Sequence, residues 1–387
     1  MNAASMTIDE AYAHCRAIAH KHGANFSVGF RFLPKAKRRA VYAAYAFCRV
    51  ADDIADEDDF ELTGLPVHSL PVIESLPVIE SPSQVVESSS LQVVEATSVP
   101  VSTKDDCPPR RLDDSTTGRL DNPATRTLDD STARRPDDPT TRRLEDPATR
   151  RPDPSTQRLV EAKNRALAHW QAELDAAYAG HPTHPITIAL ADSLRHFAIP
   201  KSAFVALIDG CRQDMVKTRY ETFEELLQYC ELVASSISDI SLSIFGYRSE
   251  NALAYGRSLS TALQLTNVTR DIGDDLGRDR VYLPAEELRR FGVEERELFA
   301  RAENERVLRL IEFQIERAET YFREAEPLLR ELDFDARFPT LLMGGIYATV
   351  LGKLRKDPLV AIRKRLRLST LQKLLVVGTR MLRPRFV

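Results

Sequence analysis

The stretch LSTALQLTNVTRDIGDD, Leu259–Asp275, decides how this chain is read. Wound at 3.6 residues per turn, its first half is apolar around most of its circumference, the pattern of a helix inside a bundle. Its second half sets Asn267, Asp271 and Asp275 at i, i+4 and i+8, one stripe of oxygen donors on one face. An earlier stretch repeats the design. KAKRRAVYAAYAFCRVADDIAD, Lys35–Asp56, spaces Val41, Tyr45, Cys48 and Ile54 as a helix does. It ends with Asp52 and Asp56 side by side and Arg49 one turn earlier. Like charges stacked on one face destabilise an isolated helix, and buried carboxylates resist ionisation unless cations compensate them. Hard oxygen donors favour Mg²⁺ or Mn²⁺, and Mg²⁺ commonly joins one or two carboxylates to substrate phosphates. Two such stripes facing each other across a bundle would form a metal cage for a diphosphate. One cluster alone reads equally well as a solvated helix end. Two of matching geometry, each closing an apolar helix, favour the cage. A di-iron bundle would want Glu-x-x-His pairs, and none occurs in the sequence.

Outward from these two stretches the pattern stays helical. Residues 159–179, 185–197, 201–217, 222–245, 250–275, 284–290, 303–332 and 339–354 are each predicted as helix. Thr222-Phe-Glu-Glu225 reads as a capping box and Pro200 as a helix entry. Convincing period-2 strands are absent, so the fold class is all-α.

Between the first aspartate helix and the next, the composition changes. Of the 22 prolines, 13 fall in residues 61–157, and those 97 residues contain no Phe, Tyr or Trp. LPVIES occurs twice in tandem from Leu70, and an eight-residue unit runs six times from Arg110 to Gln157 (RRLDDSTT, GRLDNPAT and so on). A period of eight fits neither a heptad nor a solenoid, whose units need about 20 residues or more. Such a segment buries too little apolar surface to offset the entropy of ordering it. It reads as a disordered polyampholyte insertion, 61–157, with a docking tether as the functional alternative. It splits one helical domain, 1–60 with 158–387.

The chain has 387 residues, a net charge of −4 and five scattered cysteines with no CxxC spacing. The charge gives no sign of nucleic-acid binding, and the cysteines read as reduced thiols of a cytoplasmic protein. No apolar run reaches the length of a membrane span, and the N-terminus lacks the pattern of a signal peptide.

At this point the residues carry a family resemblance. YAFCRVADDIAD (45–56) and LQLTNVTRDIGDDLGRDRVYLPAEELRRFGV (263–293) resemble the two signature segments of the squalene/phytoene synthase family, head-to-head trans-prenyl diphosphate synthases of isoprenoid biosynthesis. NFSVGFRFLPKAKRRAVYAAYAFCR (25–49), TRYETFEELLQYCELVA (218–234) and GGIYATVLGKL (344–354) are similar to further family segments. The resemblance covers essentially the whole non-repeat chain and implies a single-domain isoprenoid-synthase bundle. It implies that Asp52, Asp56, Asn267, Asp271 and Asp275 hold Mg²⁺, and that Arg49, Arg270, Arg280, Tyr282, Tyr347, Arg363 and Lys373 contact diphosphates. Tyr229 matches a tyrosine near the reacting carbons, and Ser27 lies in the segment bordering one diphosphate. Val233, Ile237 and Gln264 are assigned to substrate binding. Val233, Ile237, Ile240, Leu242, Leu259 and Leu263 would line an apolar tunnel, and an ordinary core reading fits these residues as well.

The implied chemistry is ionisation of one allylic diphosphate and attack by the second chain's double bond on C1. Proton loss then closes a cyclopropyl ring, and a further ionisation rearranges it. Serines 235 and 236 stand, with Ser238 and Asp239, where the family carries a glycine-containing stretch, which alters the tunnel lining. RYETFEELLQYC (219–230) and IFGY (244–247) favour farnesyl diphosphate, whereas LTNVTRDIGDD favours geranylgeranyl diphosphate; the expectation leans to farnesyl. No GxGxxG follows a strand, so NADPH use stays open. From Lys353 to Val387 there are 11 Lys and Arg residues against one acid. That tail suits either peripheral contact with anionic lipid at the inner membrane face or a terminal helix with a solvated basic side. A monomer is expected. A non-catalytic scaffold relative would be marked by loss of the aspartates, and both clusters are intact.

Overall fold

In the computed structural model the described residues are 6–22, 29–56, 154–382 and 385–386. All belong to one unit, Met1–Ser69 with Pro152–Val387; the other, Leu70–Arg151, lies outside the described residues. The helices are α1 (Ile8–His22), α2 (Lys35–Asp56), α3 (Pro154–Ala179), α4 (Pro185–Leu194), α5 (Lys201–Asp214) and α6 (Phe223–Cys230). A π-helical turn, Glu231–Ser235, leads into α7 (Ser236–Phe245) and then α8 (Asn251–Leu276). After these come α9 (Ala285–Phe291), α10 (Glu295–Phe299), α11 (Glu305–Ala325), α12 (Leu328–Glu331), α13 (Phe334–Lys356), α14 (Val360–Arg363) and α15 (Thr370–Leu382). Extended pairing among the described residues is limited to two isolated bridges, Arg219 with Val281 and Tyr247 with Leu332. The fold class is all-α, as the periodicity predicts.

Helix α8 is the axis of the bundle. It packs against α7, α11, α13, α14 and the π-helical turn, which is why a run apolar on nearly every side is stable there. Helix α2 packs against α1, α3, α4, α5 and α7. Its anchor is the single tryptophan: Trp170 stacks on Phe47 at 4.8 Å and donates its indole N–H to the Phe47 carbonyl at 3.1 Å. Because α7 lies against both α2 and α8, the ends of those two helices are held on opposite sides of one space.

Several boundaries differ from expectation. Helix α1 was not predicted, although Thr7 and Glu10 form a reciprocal capping box, each side chain accepting from the other's backbone N–H. Thr222 caps α6 by accepting from Glu225 N–H at 3.2 Å, but the Glu225 carboxylate turns to the N–H of Glu221 rather than closing the box. The helix predicted over 303–332 breaks near Pro327, which lacks the N–H to continue it. Helix α13 starts at Phe334 and carries Pro339 inside it. The insertion boundary also moves. Helix α3 begins at Pro154, within the last repeat copy, because proline suits a first helical position whose N–H has no partner anyway. The rest of the expected insertion, 61–153, lies outside the described residues.

Candidate active site

One face of α8 runs from apolar to acidic in a continuous stripe. Gly256, Leu259, Ser260, Leu263, Gln264 and Asn267 line an apolar cavity, and one turn further stand Asp271 and then Asp275. The facing wall comes from the π-helical turn and α7, where Val233, Ile237, Ser241 and Phe245 follow the same spacing. A larger cavity of about 340 Å³ shares Val233, Ile237, Ser241, Gln264, Asn267, Met343 and Tyr347 with the first. It adds Tyr45, Arg49 and Asp52 from α2 and Asp214 from the end of α5. Two apolar spaces therefore adjoin along one wall, and side chains from both aspartate-bearing helices reach their polar end. The π-helical turn swells α6–α7 toward α5, and residue 210 must be glycine to admit it. A Cβ there would lie 2.5 Å from Val233 Cγ1.

Asp52, Asp56 and Asp271 are each answered by an arginine. Arg49 donates to Asp52 (Nη1–Oδ2 2.8 Å) and pairs with Asp53. Arg270, itself buried, clasps Asp271 with two bonds of 2.7 and 2.5 Å. Arg365 reaches the same carboxylate at 3.0 Å. Arg280 lies 3.6 Å from Asp56 and donates to the Asp214 carbonyl at 3.2 Å. The cations do not fully compensate. The Asp52 side chain is half exposed but crowded by the protein around it, so desolvation, then the neighbouring Asp56, pushes its pKa up to about 7. Asp275 is likewise pushed up to about 7 by burial and by Asp271. Among the described residues no three His, Cys, Asp or Glu side chains converge on a ready-made metal cluster. The carboxylates are instead held apart on their arginines.

Asp214 is the functional side chain that the sequence reading missed. It accepts from the hydroxyls of Tyr229 (2.7 Å) and Tyr282 (2.9 Å), and burial raises its pKa. Tyr220 stacks on Tyr282 at 5.6 Å and completes the cluster. The turn after α8 delivers this group. Asp279 adopts φ +57°, its carbonyl and carboxylate take up Arg219, and Val281 N–H pairs with the Thr218 carbonyl at 2.9 Å. That fixes Arg280 and Tyr282 beside Asp214. The available signal was position: Asp214 lies just ahead of the RYETFEELLQYC segment. Tyr45 was also missed, and it lines the larger cavity beside Arg49.

Of the predicted residues, Arg49, Asp52, Tyr229, Val233, Ile237, Gln264, Asn267 and Tyr347 line the larger cavity. Asp56, Arg280 and Asp214 border an adjoining polar space of about 440 Å³ that also takes in Thr156, Lys163, Thr218 and Arg278. Tyr347 is hydrogen-bonded to Asn267 and Arg270. Two further predicted residues lie apart from the cavities. Arg363 pairs with Glu303 (3.1 Å) and Asp357 (2.7 Å), and it is Arg365 that reaches Asp271. Lys373 sits on α15 and lines neither cavity. Ser27 lies outside the described residues.

A helical bundle with paired acidic stripes at the mouth of an apolar cavity defines the class of isoprenoid synthases. Residues 19–70 and 129–372 match the squalene/phytoene synthase family, and the chain belongs to that family. It is a prenyltransferase, and the family joins prenyl groups head to head. The chain is similar to the 15-cis-phytoene synthase of Synechococcus elongatus, at 34% identity over 229 residues, covering 56% of this chain and 74% of that protein. The 15-cis-phytoene synthase of Synechocystis sp. is also 34% identical over 229 residues, covering 56% of this chain and 68% of that one. In fold it resembles a dehydrosqualene synthase, with TM-score 0.65, 21% identity and coverage of 96% and 95% of the two chains. It also resembles the squalene synthase HpnC from Alicyclobacillus acidocaldarius, with TM-score 0.62, 22% identity and coverage of 90% and 95%.

Proposed function

We propose that this chain condenses two prenyl diphosphates head to head with release of diphosphate, and that farnesyl diphosphate is its substrate. The carrying observation is that α8 runs from Gly256 and Leu263 on the wall of the apolar cavity, through Gln264 and Asn267 on the wall shared with the cavity that Asp52 of α2 lines, to Asp271 and Asp275 one and two turns beyond. From Asn267 to Gly256 the stripe spans about 17 Å at 1.5 Å per residue. An extended farnesyl backbone is about 15 Å and a geranylgeranyl backbone about 20 Å, from C–C bonds of about 1.5 Å in zigzag. The span lies between the two chain lengths, and what supports farnesyl is the sequence, RYETFEELLQYC (219–230) and IFGY (244–247). The second reading, geranylgeranyl diphosphate, is supported by the relatives named as phytoene synthases.

The donor set suits a hard divalent cation. Asn267 Oδ1 is buried with no hydrogen-bond partner among the described residues, and it stands one turn from Asp271. Asp52, Asp56, Asn267, Asp271 and Asp275 would hold Mg²⁺, which when bound neutralises charge on the leaving diphosphate. Arg49, Arg270 and Arg280 orient the diphosphates and stabilise the charge that grows as the C1–O bond breaks. Tyr229, oriented by Asp214, presents its ring to the cavity beside Val233, where an allylic cation gains from an aromatic face. The apolar walls keep water from that cation. Attack by the second chain's double bond forms the new C–C bond, and loss of a proton closes the cyclopropyl ring.

The test is incubation of the purified protein with labelled farnesyl and geranylgeranyl diphosphates, with and without Mg²⁺ and NADPH, followed by product identification. A C30 product from farnesyl diphosphate is expected. Turnover of geranylgeranyl diphosphate alone would establish the second reading, and no diphosphate release from either would overturn both.

A further inference from the structure

Two successive helices end on the same backbone device, and only one of them uses the residue that device favours. After α9, Gly292 takes φ +65°; its N–H bonds the Arg289 carbonyl at 3.1 Å and Val293 N–H bonds the Leu288 carbonyl at 2.9 Å. After α10, Arg301 takes φ +52°, and the same two bonds recur, Arg301 N–H to Leu298 (2.8 Å) and Ala302 N–H to Glu297 (2.9 Å). A left-handed residue at a helix end is usually glycine, because a Cβ is crowded there. An arginine in that place needs a reason in its side chain, and the guanidinium gives one. Its Nη1 donates to the Ile362 carbonyl at 2.6 Å, with the Arg363 carbonyl at 3.4 Å, and its Nη2 donates to the Gly273 carbonyl at 3.1 Å. The first two carbonyls close α14, a helix too short to satisfy them itself. The third belongs to α8, between Asp271 and Asp275. A Cβ on Gly273 would lie 2.7 Å from the Ile362 oxygen, so glycine lets the two elements touch at this point. Arg301 lines neither cavity.

We propose that Arg301 is a positioning residue of the diphosphate end: it locks α14 on α8 and thereby holds Arg365 on Asp271. Only Lys364, in extended backbone, separates the clamped end of α14 from Arg365. Arg365 Nε then meets Asp271 Oδ1 at 3.0 Å, and its Nη1 lies 4.0 Å from Asp274. Arg270 reaches Asp271 from its own helix and needs no such support. Arg365 comes from a segment beyond a single helical turn, so its place depends on how that turn is held. One ion pair at a partly exposed side chain is a weak restraint. A planar fork that bridges carbonyls of two elements is a stronger one. A cation already fixed where negative charge grows need not be ordered when the diphosphate arrives. The inference rests on reading the acidic stripe as the diphosphate end.

The experiment is calorimetric titration of the full chain with inorganic pyrophosphate in excess Mg²⁺, for the wild type, Arg301→Gly, Arg365→Ala and the double variant. Glycine suits the backbone at position 301, so Arg301→Gly removes the clamp without straining the turn, and circular dichroism should be unchanged. Each single variant should bind pyrophosphate about tenfold more weakly, the size of one hydrogen bond to a charged group. Because Arg301 acts through Arg365, the double variant should also lose only about tenfold, whereas independent effects would multiply to about a hundredfold. A role confined to stability would not produce that coupling. Should Arg301→Gly fail to fold, Arg301→Lys takes its place in the cycle: a lone ammonium keeps the charge but lacks the fork that spans two elements. Multiplied losses in the double variant would overturn the proposal alone, as would undiminished binding by folded Arg301→Gly. A wild type that ignores pyrophosphate would overturn both the proposal and the reading beneath it.

Discussion

At the residue scale the site is a set of carboxylates restrained by arginines. Asp52→Ala and Asp271→Ala should each lower diphosphate release by about 10²–10³-fold, with helical content retained by circular dichroism, because charge stabilisation at the leaving group is the largest single contribution. Full activity in both would refute the assignment. The carboxylates also have a cost. The pKa of Asp275, about 7, lies above its ordinary value. Between those values the folded chain keeps a proton that the unfolded chain has released, so stability falls as pH rises through that window. Asp275→Asn should therefore raise the metal-free melting temperature at pH 8 by about 2–4 °C, or ~1 kcal/mol after allowing for its contact with water, and change it little at pH 4. Thermal scans at both pH values check this. Asp214 acts through others. Asp214→Asn keeps its size but leaves one acceptor oxygen for the two hydroxyls of Tyr229 and Tyr282, so kcat should fall about tenfold while KM changes little. A loss confined to KM would assign Asp214 to binding instead.

At the element scale, the repeat segment lies in sequence between α2 and α3, and the second half of its last copy, Pro154–Gln157, is part of the fold. Pro154–Gln157 supply the first turn of α3, and Thr156 borders the polar space beside Asp56. Removing residues 61–150 should leave activity unchanged in purified protein. Extending the deletion through Gln157 should lower the melting temperature and slow turnover, since it strips the first turn of α3. Equal behaviour of the two deletions in both assays would show that the turn contributes nothing. The π-helical turn shows the opposite kind of element, a local irregularity that the sequence pattern reads through. Residues 222–245 keep one helical period, yet one extra residue per turn at Glu231–Ser235 rotates Val233 and Ile237 onto the shared cavity wall.

At the scale of the molecule, two helices that do not pack closely on each other enclose the reaction space, and α7 sets the gap. Phe245 stands at the far end of the apolar cavity. Phe245→Ala should lengthen it and raise turnover of geranylgeranyl relative to farnesyl diphosphate by about tenfold, an effect of the size expected for a few methylenes in an apolar pocket. Competition between the two labelled substrates measures the ratio directly; an unchanged ratio would place chain-length selection elsewhere.

The sequence by itself determined the helical class and the two acidic stripes, because each rests on local periodicity, and it carried the family through the resemblance of segments 45–56 and 263–293. Spacing along one helix fixes which side chains share a face, whatever surrounds it. Composition placed the end of the aromatic-free segment at Gln157, and the described helix α3 starts at Pro154. Only the tertiary structure decided which cations answer which carboxylates. Arg363 and Arg365 are equally basic and two residues apart, but Arg363 ends α14 and Arg365 follows the extended Lys364, so one reaches Glu303 and the other Asp271. Only the tertiary structure brought Asp214 to Tyr229 and Tyr282, because those residues meet through three separate segments whose approach no single period records. The same is true of α15, where packing against α13 determines that Val376 is buried and that Leu371, Leu374 and Leu375 stay exposed.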